Sequence, residues 1–146
     1  MILHLSGELE RADEAARRAI DTLNEAAPPL VPAALGTLSK IRLAKGDGAS
    51  ALELARSACE ALERGGVEYG EHTIRRAMVE ALEAAGEAAR ARTLLATALE
   101  RLRAACDKLD EPELRRAFLQ GAPDNARLVE LGQRWGVAAP CPASES

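Results

Sequence analysis

One pattern constrains the fold of this chain more than any other. A glycine is followed by alanine five and twelve residues later, and this happens three times: Gly7, Ala12 and Ala19 in SGELERADEAARRA; Gly46, Ala51 and Ala58 in AKGDGASALELARSA; Gly86, Ala91 and Ala98 in AGEAARARTLLATA. The glycines lie 39 and 40 residues apart. Alanine is so common here that one match means little, but three at fixed offsets from three glycines describe a mechanism. Glycine takes the left-handed conformation that ends a first helix. The first alanine sits one turn into the second helix, where the two backbones come closest. The second faces the following hairpin and lets it stack.

Composition agrees. Hydrophobic residues make up 47% of the 146 residues but aromatics only 2%, so the core is built from Leu, Ala, Val and Ile. Alanine, leucine, glutamate and arginine are strong helix formers, and strand-favouring residues are scarce. The expected fold is all-α: one domain of stacked antiparallel helix hairpins, with about seven helices.

The apolar spacing places the elements. Leu35, Leu38, Ile41 and Leu43 mark a helix over about 32–45, with Pro32 in its first turn. Gly46 closes it and Asp47 caps the next helix, whose stripe is Leu52, Leu54, Ala55, Ala58, Cys59 and Leu62. Gly65 and Gly66 end that helix. Ile74, Ala77, Met78, Ala81 and Leu82 line a helix from about Tyr69 to Ala85, and Leu94, Leu95, Ala98, Leu99, Leu102 and Leu109 the longer one after Gly86. The expected units are 29–65 and 69–108, with residues 1–26 as a truncated first unit. In that unit a turn at Gly7 precedes a helix over about 8–26, and the chain begins inside a repeat, as a piece of a longer polypeptide would.

Residues 110–135 read as a terminal hairpin covering the last repeat. Asp110 and Glu113 suggest a capping box around Pro112, with Leu114, Phe118 and Leu119 inward and Leu128, Leu131 and Trp135 on the final helix. Residues 136–146, GVAAPCPASES, lack periodicity and read as a loose tail.

The glycine–alanine pattern resembles the tetratricopeptide repeat, a helix–turn–helix unit of about 34 residues that stacks into a right-handed superhelix. The resemblance spans residues 1–108. The period here is nearer about 40, also close to HEAT-type repeats, and Leu, Ala or Ser occupy most of the family's aromatic positions. The resemblance implies a protein-interaction module whose first helices line a groove for a peptide or partner helix. The family's groove offsets fall on Lys40, Arg76, Glu80, Glu83 and Arg115. The wording PELRRAFL…PDNARLVEL also resembles the closing segment of repeat regions in large bacterial signalling proteins that carry a serine/threonine kinase or ATPase-linked regulator. That implies a docking or sensor segment, or one acting in cis on such a domain. An apolar face left by the truncated first unit would allow a homodimer.

Other chemistry has little support. Acids and arginines interleave, as in ELERADEAARR, and the net charge is −4, so the segregated basic stripe of a nucleic-acid binder is missing. KGDGAS has neither the Gly-Lys-Ser/Thr element nor the preceding strand of a phosphate loop, and no kinase catalytic motif occurs. Cys59, Cys106 and Cys141 share no short spacing, and Cys59 and Cys106 read as core thiols. His4 and His72 do not pair as metal ligands, and His72 reads as a helix-surface residue. No catalytic residue, metal or cofactor is expected. No membrane-spanning run or signal peptide is read, so the default compartment is the cytoplasm.

Overall fold

The computed structural model describes residues 2–65, 67 and 69–137, with side chains from residue 7 onward. The expected end at Gly66, the side chain of His4, and the tail from residue 138 including Cys141 lie outside the described residues or side chains. The described residues are all-helical, with no strand. Seven α-helices run α1 (Ile2–Ala26), α2 (Val31–Ala44), α3 (Gly48–Glu63), α4 (Glu71–Ala84), α5 (Ala88–Asp107), α6 (Pro112–Arg116) and α7 (Pro123–Trp135).

Two hairpins form the middle of the stack, α2 with α3 and α4 with α5. Both turn the same way. Gly46 and Gly86 have φ of +89° and +83°. At each, the glycine N–H bonds the carbonyl three residues back, Leu43 or Glu83. The next N–H reaches five back, Asp47 to Arg42 and Glu87 to Leu82, both 2.9 Å. This double closure satisfies carbonyls left over at a helix end, and the left-handed residue it needs is glycine at no steric cost. The Asp47 carboxylate then accepts from the Ser50 N–H at 3.1 Å and starts α3.

Gly7 behaves differently. It lies inside α1, which continues without a turn from Ile2 to Ala26. The first unit is therefore one helix and not the end of a hairpin. Gly7 lacks the left-handed φ of the turn glycines and nothing among the described residues packs against it, so the residues on either side stay in one helical run. Continuing the helix keeps their hydrogen bonds at a cost of about 1 kcal/mol for a mid-helix glycine.

The hairpins stack through α4, which packs on both α2 and α3. A Cβ on Gly36 of α2 would lie 3.4 Å from the Ile74 Cα of α4, so these backbones pass with little between them. Ala51, Ala55, Ala77, Ala81 and Ala91 join Met78 and Leu82 in a small-residue core between α3, α4 and α5. A second, leucine-rich core holds Val79, Leu95, Ala98, Leu99, Leu102, Leu128 and Leu131 between α4, α5 and α7. Ala51, Ala58, Ala91 and Ala98 are all 0% exposed. Their counterparts on α1 are not: Ala12 is partly buried and Ala19 exposed, because among the described residues α1 packs mainly on α2, along one side.

The terminal hairpin departs from expectation in detail. Glu111, not Asp110, stands at the start of α6, and no side chain caps it. Leu114 is 51% exposed, on a helix too short to bury both of its sides. A wider π-helical turn, Ala117–Gly121, extends α6, and the buried Asn125 side chain donates to the Phe118 carbonyl at 2.9 Å. α4 starts two residues later than Tyr69, which is 71% exposed. The delay comes from Gly70, whose φ is +88° and whose Cβ, if present, would meet the Ala33 Cβ at 2.5 Å.

Candidate functional site

The three helices α2, α4 and α7 lie in a row, α4 in the middle. Three of the groove residues expected from the sequence, Lys40, Arg76 and Glu80, meet on this row in one ionic network. Its hub is a residue the sequence reading passed over, Asp124, in the first turn of α7. Its Oδ1 accepts from Lys40 Nζ at 2.7 Å and from an Arg76 guanidinium nitrogen at 3.1 Å, and its Oδ2 from the Thr73 hydroxyl at 2.7 Å. Arg76 Nε also reaches Glu80 Oε1 at 3.1 Å. The other Glu80 oxygen binds Arg127 Nε at 2.8 Å, and Arg127 continues to Glu130 at 2.7 Å. One chain of charges thus ties both α2 and α4 to α7.

Burial on its own would raise the Asp124 carboxyl, but the hydrogen bonds from Lys40 and Thr73, with the Lys40 and Arg76 charges, hold it below its ordinary value. The α7 N-terminus favours the same anion. Lys40, Arg76 and Glu80 are therefore spent on one another and on α7. The other two expected groove residues lie apart from this network. Arg115 donates from Nε to the Leu109 carbonyl at 2.6 Å, bracing the loop into α6. Glu83 is exposed near the α4–α5 turn and lines a small cavity with Ala88, Arg92 and Trp135.

Two further clusters fasten the rest of the stack. Asp13 of α1 is 2% exposed. Arg42 approaches it through Nε, Arg17 lies at 2.9 Å and Lys45 at 3.3 Å. Arg42 also donates to the Ser50 hydroxyl at 2.6 Å, so a single carboxylate joins α1 to α2 and, through Arg42, to α3. The Arg42 hydrogen bond above all keeps the Asp13 pKa low. On α4, Glu71 is gripped by Arg101 of α5 at 2.7 and 3.2 Å and by Arg75 at 2.9 Å. The Arg101 hydrogen bond leads in lowering its pKa to about 2.

His72 is not on the surface as expected. Its ring stands edge-on to Phe118 at 5.9 Å, its buried Nδ1 has no partner among the described residues, and burial lowers its pKa. The cause is the terminal hairpin, which brings Phe118 over the start of α4. Cys106 is buried, and burial raises the partly buried Cys59 thiol to about 11, which keeps it protonated at neutral pH. Among the described residues no group of three or more His, Cys, Asp or Glu converges on a metal position. No helix among them is long and apolar enough to cross a membrane.

These shifts set an acid response. Glu71, Asp13 and Asp124 all have folded pKa values below their ordinary ones, so the unfolded chain binds more protons as the pH drops and stability is lost in that direction. For Glu71 the loss runs from its ordinary 4.5 down to about 2. His72, also lowered, adds loss of the same sign as the pH falls through its ordinary 6.5. Denaturant titrations from about pH 7 to about pH 3 are expected to show the midpoint falling throughout. An E71Q variant should flatten the acidic part of that curve.

No protein-family model, curated protein or solved structure matches this chain.

Proposed function

We propose that this chain is a non-catalytic protein-interaction module of tetratricopeptide-like hairpins. The observation that carries the reading is the row α2–α4–α7, in which the first helices of the two middle hairpins, α2 and α4, lie beside the final helix and are locked by Asp124, Glu80 and their cations. A surface preorganised in this way loses little entropy when a peptide or helix binds it. The locked charges hold the platform, and contact with a partner falls to groups beside them. The partner class follows the resemblance: a protein or peptide, or a kinase or ATPase domain of the same polypeptide, in the cytoplasm. To test this, a partner captured by affinity purification is purified and titrated against the chain, with hydrogen exchange mapped on both. Saturable binding that slows exchange along α2, α4 and α7 supports the module. Protection confined to the backs of α3 and α5 would remove this face from the proposal.

A second reading, self-association, rests on α1. Ala19 is exposed and Ala12 only partly buried, where their counterparts are fully buried. Sedimentation over a concentration series is expected to show a dimer that A19R abolishes. A strict monomer retires it.

A further inference from the structure

We infer that the cavity beside the α4–α5 turn is a recognition subsite for a basic side chain, lysine or arginine, presented by a partner peptide. The inference rests on reading the chain as an interaction module and adds the chemistry of what is recognised. The cavity, about 180 Å³, is lined by Glu83, Ala88, Arg92 and Trp135. That is room for one long side chain.

Charge decides the class of ligand. On α4, the Glu71 and Glu80 carboxylates are each held by two arginines. The carboxylate of Glu83, on the last turn of the same helix, has no partner among the described residues. The C-terminal end of α4 adds partial negative charge there, and its last turn carries no basic residue. Arg92 is the cation on the wall. Its guanidinium donates to the Trp135 carbonyl at 2.6 Å, so it is committed to the carbonyl end of α7 and not to Glu83. The α5 N-terminus at Ala88 is partially positive, but Glu87 stands at its cap, itself paired with Arg90 at 2.8 Å. Arg92 keeps its positive charge, but it is held at that carbonyl, and the Glu83 carboxylate is the charged lining group with no direct partner among the described residues, open to pair with a ligand's cation. Trp135 packs against both cores, so its indole is a fixed aromatic wall, which suits an ammonium or guanidinium group.

Trp135 is the chain's single tryptophan, so its fluorescence reports on this wall of the cavity with no other indole to mask it. The whole chain would be titrated with N-acetyl-lysine amide and N-acetyl-arginine amide, and with the norleucine and glutamate counterparts. Saturable change with the basic probes, weakened by salt and about fivefold by E83Q, is the expected result. Glu83 is exposed, so the variant leaves the fold intact, which circular dichroism checks. Equal affinity for the norleucine probe would make the site a plain apolar cleft and overturn the inference. Preference for the glutamate probe, indifference to E83Q, or no saturable response would overturn it too. None of these outcomes bears on the module itself, whose test is the exchange protection of α2, α4 and α7.

Discussion

Leucine in place of Ala98 is expected to lower the unfolding free energy by about 3 kcal/mol, and leucine in place of Ala19 to change it by less than about 0.5 kcal/mol. Both alanines lie twelve residues after a glycine of the repeat pattern. Ala98 is 0% exposed among Leu95, Leu99, Leu128 and Leu131, whereas Ala19 is exposed. Three added carbons at Ala98 must push α5 away from its neighbours or force its leucines out of their rotamers. At Ala19 they meet solvent. Urea denaturation of the two variants makes the comparison directly. A neutral A98L would mean that the alanine does not set the helix spacing. A destabilising A19L would mean that the open face of α1 is covered in solution, and sedimentation would then show by what.

Alanine in place of Asp13 is expected to release α1. The carboxylate is nearly inaccessible, but it is covered by the side chains that pair with it, Arg17, Arg42 and Lys45, and these reach water. The loss therefore falls short of that for a deeply buried pair, at about 2 kcal/mol. Its distribution matters more than its size. α1 packs on α2 and the short turn before it, and its apolar residues Leu9, Ala16, Ile20 and Leu23 are only partly buried. Hydrogen exchange in D13A should accelerate across α1 and hardly change in α4 and α5. Uniform acceleration over the whole chain would show that Asp13 supports the entire stack and not one helix. D13N, which keeps the shape and removes the charge, separates the ionic part from the packing part.

Particular residues show what could be foreseen and why. Asp47 is legible as a cap because its partner, the Ser50 N–H, is three residues away. Leu128 and Leu131 are legible as core because they share one face of a periodic helix, and both are buried. Asp124 was not. An acid after Pro123 reads as an ordinary first-turn residue, and nothing local says that Lys40 and Arg76, 84 and 48 residues away, will close on it. Asp13 did leave a trace, since an acid interrupts the apolar run Leu9, Ala12, Ala16, Ile20, but the trace does not name Arg42. His72 shows the same limit: its own helix places it near the surface, and Phe118 arrives over it from a different hairpin.

The all-α class, the glycine bends and the buried stripes follow from the amino-acid order, because each depends on backbone preference and periodicity within a few turns of helix. The fate of Gly7, the pairing of the Lys40, Arg76 and Glu80 charges with α7, and the Glu83 carboxylate beside Trp135, unpaired among the described residues, were decided by assembly. Identical local signals end differently there, according to what packs against them. Packing and long-range Coulomb contacts arise between segments far apart in the chain, so only the folded arrangement determines which groups meet.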